Sequence, residues 1–186
     1  MHPLVKEVLY TEEQIKERIK ELGKEISEYY IENNQSNDAV IMLGLLRGCI
    51  TFMGNFLTTF TPECEIDFMT VSSYSGTESS GKLKITQDVK TSLKDRTVLI
   101  VEDIIDTGLT LEFVKDYLYS QGARDVKVVV LFDKPGSRKN NIQADWRGFS
   151  IKNDFVIGFG FDIDNKLRNL PYVGICDTDK LKDWKW

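Results

Sequence analysis

Val98-Leu99-Ile100-Val101-Glu102-Asp103-Ile104-Ile105-Asp106-Thr107-Gly108-Leu109-Thr110 is the stretch whose reading decides the fold. Residues 96–101 predict a strand buried on both faces, because the run is apolar throughout rather than alternating. That strand delivers two adjacent carboxylates, Glu102 and Asp103, to its C-terminal edge. Asp106-Thr107-Gly108 then predicts a tight polar turn into a helix lined by Leu111, Val114 and Leu118 and stopped near Gly122. In open α/β sheets, ligands sit beyond the carboxyl ends of the strands. A loop entering a helix offers backbone N–H groups and the positive end of a dipole, which suits a phosphate. Gly108 lets the backbone approach closely, and the hydroxyls of Thr107 and Thr110 add donors. The GxxxxGK[ST] spacing of a P-loop is absent. Oxygens from three carboxylates suit ribose hydroxyls or Mg²⁺, which often shares its oxygen ligands with a substrate phosphate.

Outward from this stretch, strands and helices alternate. Ala39 to Leu46 predicts a second fully buried strand, followed by a returning helix from Cys49 to Phe60. Further strands are expected over Glu65–Val71, Lys82–Val89, Val126–Phe132, Phe155–Phe161 and Tyr172–Cys176. Thr11-Glu12-Glu13-Gln14 fits a capping box, and Ile15, Ile19, Leu22, Ile26 and Tyr29 form one apolar helix stripe. The pattern predicts an α/β fold with a largely parallel central sheet flanked by helices, in a single domain over 1–186. Leu46-Arg47-Gly48, Glu102 to Thr110, Lys134 and Asp162 each follow an expected strand. Parallel strands would bring all four groups to one edge. Ser72 to Gly81 carries five serines and two glycines and predicts a mobile lid.

Composition narrows the chemistry. Of 186 residues 41% are hydrophobic and 28% charged, an ordinary globular balance rather than a disordered one. Acidic residues outnumber basic ones by 29 to 24, so binding nucleic acid through bulk charge is not expected. The one histidine, His2, lies near the N-terminus, where order is doubtful, which argues against a Ser-His-Asp triad or a multi-histidine metal site. Acid–base work falls to carboxylates, lysine or tyrosine. Cys49, Cys64 and Cys176 are odd in number and lack CxxC spacing, so reduced thiols and a cytoplasmic location are expected. No apolar signal segment opens the chain, and Ala39–Leu46 is too short to span a bilayer, so no membrane association is expected.

The aliphatic strand ending in Glu-Asp, followed by two aliphatics and Asp-Thr-Gly-x-Thr, resembles the phosphoribosyl-diphosphate (PRPP) motif of the type I phosphoribosyltransferases. Leu46-Arg47-Gly48, Ser73-Tyr74, Leu131-Phe132-Asp133-Lys134-Pro135, Asp154 to Asp162 and Arg168 to Gly174 narrow the resemblance to hypoxanthine-guanine members of the bacterial type. Together they follow the family's order from about Ala39 to Gly174. The resemblance implies transfer of a phosphoribosyl group from PRPP to hypoxanthine or guanine, giving IMP or GMP and pyrophosphate, with Mg²⁺. It implies a homodimer or homotetramer, a lid hairpin over 72–89 and a base-binding hood within 133–186.

By the same resemblance, Glu102 and Asp103 hold the ribose hydroxyls, directly or through Mg²⁺, and Asp106 is the acid–base residue facing N7 of the purine. Thr107, Gly108, Leu109 and Thr110 cradle the 5′-phosphate. Lys134 meets the 6-oxo group, Phe155 stacks on the base, and the backbone of Val156 meets its Watson–Crick edge. Asp162 is implied as ligand to a second Mg²⁺. Arg168 and the Leu46-Arg47-Gly48 turn, which contains a non-proline cis peptide in this family, bind pyrophosphate. Ser73 and Tyr74 lie on the closing lid. Leu109 stands where human-type members have lysine, Ile163 where an aromatic often follows the aspartate, and Asp154 where some relatives are basic. The order of preference among hypoxanthine, guanine and xanthine is therefore open. Two other readings stand beside this one: a PRPP or nucleotide sensor that binds RNA or DNA, and a PRPP-binding subunit of another enzyme. Trp146, Trp184 and Trp186 have no evident chemical role.

Overall fold

In chain order the elements are β1 (Val5–Tyr10), α1 (Glu12–Asn33), β2 (Val40–Leu45), α2 (Cys49–Leu57), β3 (Cys64–Ser73), β4 (Leu83–Gln87) and β5 (Thr97–Ile105). There follow α3 (Leu109–Ser120), β6 (Asp125–Asp133), β7 (Trp146–Ser150), β8 (Val156–Ile157), β9 (Val173–Cys176) and α4 (Thr178–Lys182). The structure, a computed structural model, describes residues 1–33, 38–73 and 83–186.

Six strands form one sheet in the order β4-β3-β2-β5-β6-β7, parallel except for the edge strand β4. Every residue of β2 is buried, as its unbroken apolar run requires. Val40 and Met42 face one core with α1 and α2, whereas Ile41, Leu43 and Leu45 face another with α3. The chain leaves β2 toward β3 on one side and leaves β5 toward β6 on the other. The strand order therefore reverses between β2 and β5, which opens a crevice at their carboxyl ends.

The capping box at the start of α1 is reciprocal: Thr11 N donates to Gln14 Oε1 at 2.9 Å, and Gln14 N donates to Thr11 Oγ1 at 3.3 Å. The stripe Ile15, Ile19, Leu22 and Ile26 is buried, but it continues to Tyr30 rather than Tyr29. Tyr29 instead packs edge-on against Trp146 of β7, with ring centroids 5.0 Å apart.

A smaller antiparallel sheet, β1-β9-β8, stands over the carboxyl edge. Neither β1 nor β7 was expected from the sequence. The smaller sheet thus draws a strand from residues 5–10, while β7, within 133–186, joins the large sheet. His2 is held in place, contrary to its expected disorder: its N donates to Tyr172 Oη at 2.8 Å and its ring lies 5.6 Å from that of Trp184. The expected strand over Phe155–Phe161 shortens to Val156–Ile157, because Gly158, Phe159 and Gly160 all take positive φ and turn the chain. β5 runs longer than expected, to Ile105, because β6 accompanies it as far as the pair Ile105–Asp133.

Candidate active site

β2 pairs with β5 only as far as Gly44 opposite Val101. Beyond that point β5 continues beside β6 alone, so Glu102 and Asp103 lie inside the strand but on the open side of the crevice. The turn after β2 fills the space beside them. Its Leu46–Arg47 peptide is cis. Gly48 faces Asp103 so closely that a Cβ there would come within 1.9 Å of Oδ2. Glu102 Oε1 accepts a hydrogen bond from the Asp103 backbone N at 3.1 Å. Burial and the adjacent Asp103 carboxylate push Glu102 well above the ordinary carboxylate range. Burial also raises Asp103, against hydrogen bonds from Glu102 and the backbone and the nearby charge of Arg168. The same two acids, after burial itself, raise the thiol of Cys49, which disfavours its reactive thiolate.

Asp106 follows β5 and is exposed to the crevice. Gly108 caps α3 with φ +83° and, as glycine, has no side chain to cover the N–H groups that open the helix. Thr107 Oγ1 accepts from Leu109 N at 3.4 Å. The segment after Lys134 braces this turn from behind. Arg138 donates to the Asp106 carbonyl at 3.0 Å and is tied to Asp133 through a close ion pair. Lys139 N donates to the Thr107 carbonyl at 2.9 Å. A Cβ on Gly108 would come within 2.3 Å of Asn140 Oδ1. Neither Arg138 nor Asn140 is among the site residues expected from the sequence. No local pattern marks them, since their partners lie some thirty residues away.

Across the crevice, Asp162 Oδ1 pairs with Arg168 Nη2 at 2.7 Å, and Asp162 Oδ2 accepts from Asn165 N at 2.7 Å. Arg168 also donates to the Gly160 carbonyl. Among the described residues its buried Nε has no partner. Leu46, Gly48, Glu102, Asp103, Asp106, Thr107, Gly108, Thr110, Asp162 and Arg168 line one cleft of 360 Å³. The turns after the parallel strands β2 and β5 thus meet at one edge, whereas Asp162 and Arg168 reach it from the loop after β8 of the antiparallel sheet rather than from a parallel strand.

Arg47, Leu109, Lys134, Phe155 and Val156 do not line that cleft. Lys134 adjoins it, its N donating to the Ile105 carbonyl at 2.9 Å beside Asp106. The residue is 8% exposed, and among the described residues its ammonium has no hydrogen-bond or ion-pair partner. Phe155 is 47% exposed, whereas Phe159 and Phe161 are buried, which leaves Phe155 as the one of the three with an open ring. Val156 lies in the outer strand of the smaller sheet. Cys176 N donates to the Phe155 carbonyl, so Phe155 and Ile157 face β9 in the alternating antiparallel ladder. The backbone N–H and C=O of Val156 consequently point away from β9, to the free edge. Tyr74 and the rest of 74–82 within the expected lid lie outside the described residues, and Ser73 is described only as the last residue of β3.

Among the described residues no three carboxylate, cysteine or histidine side chains form a metal-sized cluster. Glu102 and Asp103 nonetheless suit a hard divalent cation. They are adjacent oxygen donors whose mutual repulsion and burial a cation would relieve, and Mg²⁺ commonly takes one or two carboxylates plus water and phosphate oxygens.

The family model for a phosphoribosyl transferase domain matches residues 7–165. Hypoxanthine-guanine phosphoribosyltransferase of Lactococcus lactis is 47% identical, over 94% of this chain and 93% of that protein. The Streptococcus pyogenes protein of the same name is 42% identical, over 94% and 95%. Among solved structures, a hypoxanthine phosphoribosyltransferase of Staphylococcus aureus superposes with a TM-score of 0.88 at 39% identity, covering 97% of this chain and 96% of that one. The Trypanosoma cruzi hypoxanthine phosphoribosyl transferase gives 0.91 at 31% identity, covering 98% and 97%.

Proposed function

The chain belongs to the phosphoribosyltransferase family, among its hypoxanthine-guanine members, and from that premise we propose how its own residues divide the reaction. The protein is a purine-salvage transferase: it moves the 5-phosphoribosyl group of PRPP to N9 of hypoxanthine or guanine, forming IMP or GMP and releasing pyrophosphate. The observation that carries the division of labour is the cleft at the β2/β5 reversal, which a helix start, a carboxylate pair and Arg168 line together.

Thr107 to Thr110 bind the 5′-phosphate with the N–H groups at the start of α3. Leu109 contributes through its backbone, which explains why no lysine is needed at that position. Glu102 and Asp103 hold the ribose hydroxyls and would hold Mg²⁺, with Asp162 as a further carboxylate for a second ion. Bound Mg²⁺ would supply charge neutralisation for the departing pyrophosphate. Arg47, Gly48 and Arg168 orient that group from the other side of the crevice. Asp106 exchanges the proton at N7 as the base becomes nucleophilic at N9. Lys134 donates to a 6-oxo acceptor, whereas the 6-amino group of adenine is a donor and would leave two donors opposed. Phe155 stacks on the base, and the free edge of Val156 pairs with its polar rim. No protein nucleophile is required. A lid carrying Ser73 and Tyr74 would exclude water from C1.

Three unpaired cysteines suit a reducing compartment, the cytoplasm. No helix among the described residues is long and apolar enough to cross a membrane. We read the working form as a homo-oligomer, to be measured by light scattering.

The test is direct. Purified protein with PRPP, Mg²⁺ and hypoxanthine should form IMP and pyrophosphate in equal amounts, and chelation with EDTA should stop both. Asp106→Asn should lower kcat on the order of a hundredfold or more, with the KM for PRPP little changed. A near-normal rate in that variant would remove Asp106 from its role.

A further inference from the structure

Asn165 lies outside every motif discussed above, yet it connects the two arginines at the far wall. Ile163 and Lys166 exchange backbone hydrogen bonds of 3.1 and 2.9 Å around a two-residue turn. Both turn residues take positive φ, +50° at Asp164 and +62° at Asn165, the conformation that Asn and Asp tolerate best after glycine. This turn aims the Asn165 carboxamide back toward the crevice. Its Oδ1 accepts from Arg47 Nη1 at 3.0 Å and from Arg168 Nη2 at 3.4 Å. Its backbone N donates to Asp162, the ion-pair partner of Arg168. The turn is also held from outside, where Lys166 Nζ lies 4.3 Å from the Trp186 ring centroid.

The two arginines differ in how they are held. Arg168 is fixed by Asp162 and Gly160 regardless of Asn165. Arg47 is exposed, and its guanidinium donates to Asn165, 118 residues further along the chain. Two guanidinium groups repel, and a long exposed side chain resists being fixed. A shared neutral acceptor offsets both effects without cancelling the positive charge that an anion needs.

We propose that Asn165 is a positioning residue that holds Arg47 beside Arg168, so that pyrophosphate meets the two cations as a preformed pair. The proposal rests on the reading of Arg47 and Arg168 as the pyrophosphate end of the site. Glycine accepts the same backbone conformation, so Asn165→Gly removes the carboxamide without straining the turn.

The experiment measures initial rates in both directions for the wild type, Arg47→Ala, Asn165→Gly and the double variant. Asn165→Gly should raise the KM for PRPP, and for pyrophosphate in the reverse reaction, roughly three- to tenfold. The KM for hypoxanthine and the forward kcat should stay near wild type, a split that general loosening of the hood would not produce. The double variant should resemble Arg47→Ala alone, because Asn165 acts through that side chain. If Arg47→Ala raises the KM for PRPP while Asn165→Gly does not, or if the two effects multiply independently, the positioning role is overturned and the pyrophosphate reading stands. If Arg47→Ala leaves both phosphate-substrate KM values unchanged, the pyrophosphate reading of Arg47 falls and the positioning role falls with it.

Discussion

Gly48 has no room for a side chain, because Asp103 occupies the volume a Cβ would need. Alanine there would drive the turn off the strand or push the carboxylate out of the crevice. Either displacement moves the Leu46–Gly48 turn relative to the Glu102–Asp103 pair, the groups proposed to hold pyrophosphate and ribose. Gly48→Ala should lower kcat/KM for PRPP on the order of ten- to a hundredfold, since misplacement of about 1 Å is that costly. Steady-state kinetics against PRPP checks this, and a value within twofold of wild type would show that the turn tolerates the shift. Sequence alone could nominate Gly48 as part of a turn but could not reveal its contact with Asp103, which lies 55 positions along the chain. Arg138 and Asn165 were hidden for the same reason.

At the scale of elements, a single acid of β3 holds the segment that follows β4. Asp67 accepts backbone hydrogen bonds from Lys90 at 2.7 Å, Thr91 at 2.8 Å and its neighbour Phe68 at 2.8 Å. Burial works to raise this carboxyl, but the N–H groups of Thr91, Phe68 and Lys90 prevail and hold it below its ordinary value. A depressed carboxylate contributes stability that is fully present above its unfolded pKa and is lost as pH falls through its lower folded value. Asp67→Asn should therefore cost about 1–2 kcal/mol at neutral pH, discounted for partial exposure, and progressively less in acid. Urea titrations of both proteins at pH 7 and near pH 3 check the sign. A gap that widens in acid would contradict it. The elements themselves were mostly legible: α1, β2, β5 and β6 follow from periodicity and buried runs. The segment after Phe155 misled because its alternating aromatics mimic a strand, whereas its two glycines and Phe159 take turn geometry.

At the scale of the molecule, the smaller sheet that carries Val156 depends on a strand from the opposite end of the chain. β1 pairs with β9 from Val5 opposite Cys176 to Tyr10 opposite Val173. Leu4, Val5, Ile157, Ile163 and Cys176 form a separate small core, with Trp184 packed against it. That core supports both Val156 of β8 and the turn carrying Asn165. Leu4 is fully buried, so Leu4→Ala should destabilise the fold by about 2–4 kcal/mol through lost burial and a residual cavity. Calorimetry or denaturant unfolding measures the loss, and a cost below about 0.5 kcal/mol would mean the smaller sheet does not rely on this core. Trp184 and Trp186, which had no evident role in the sequence, belong to this support.

The sequence by itself determined what local pattern can encode. Uninterrupted aliphatic runs specified parallel strands buried on both faces, and the order of strands and helices specified the α/β class. The succession of Glu102, Asp103, Asp106, Thr107 and Gly108 specified a carboxylate pair ahead of a glycine-led helix start. Tertiary structure alone decided which distant groups face those residues: Gly48 against Asp103, Arg138 behind Asp106, Arg47 beside Arg168 through Asn165, and β1 completing the smaller sheet. Backbone periodicity is set within a few residues, but partners across the crevice are chosen by how two cores and two sheets pack. No local pattern in the chain records that choice.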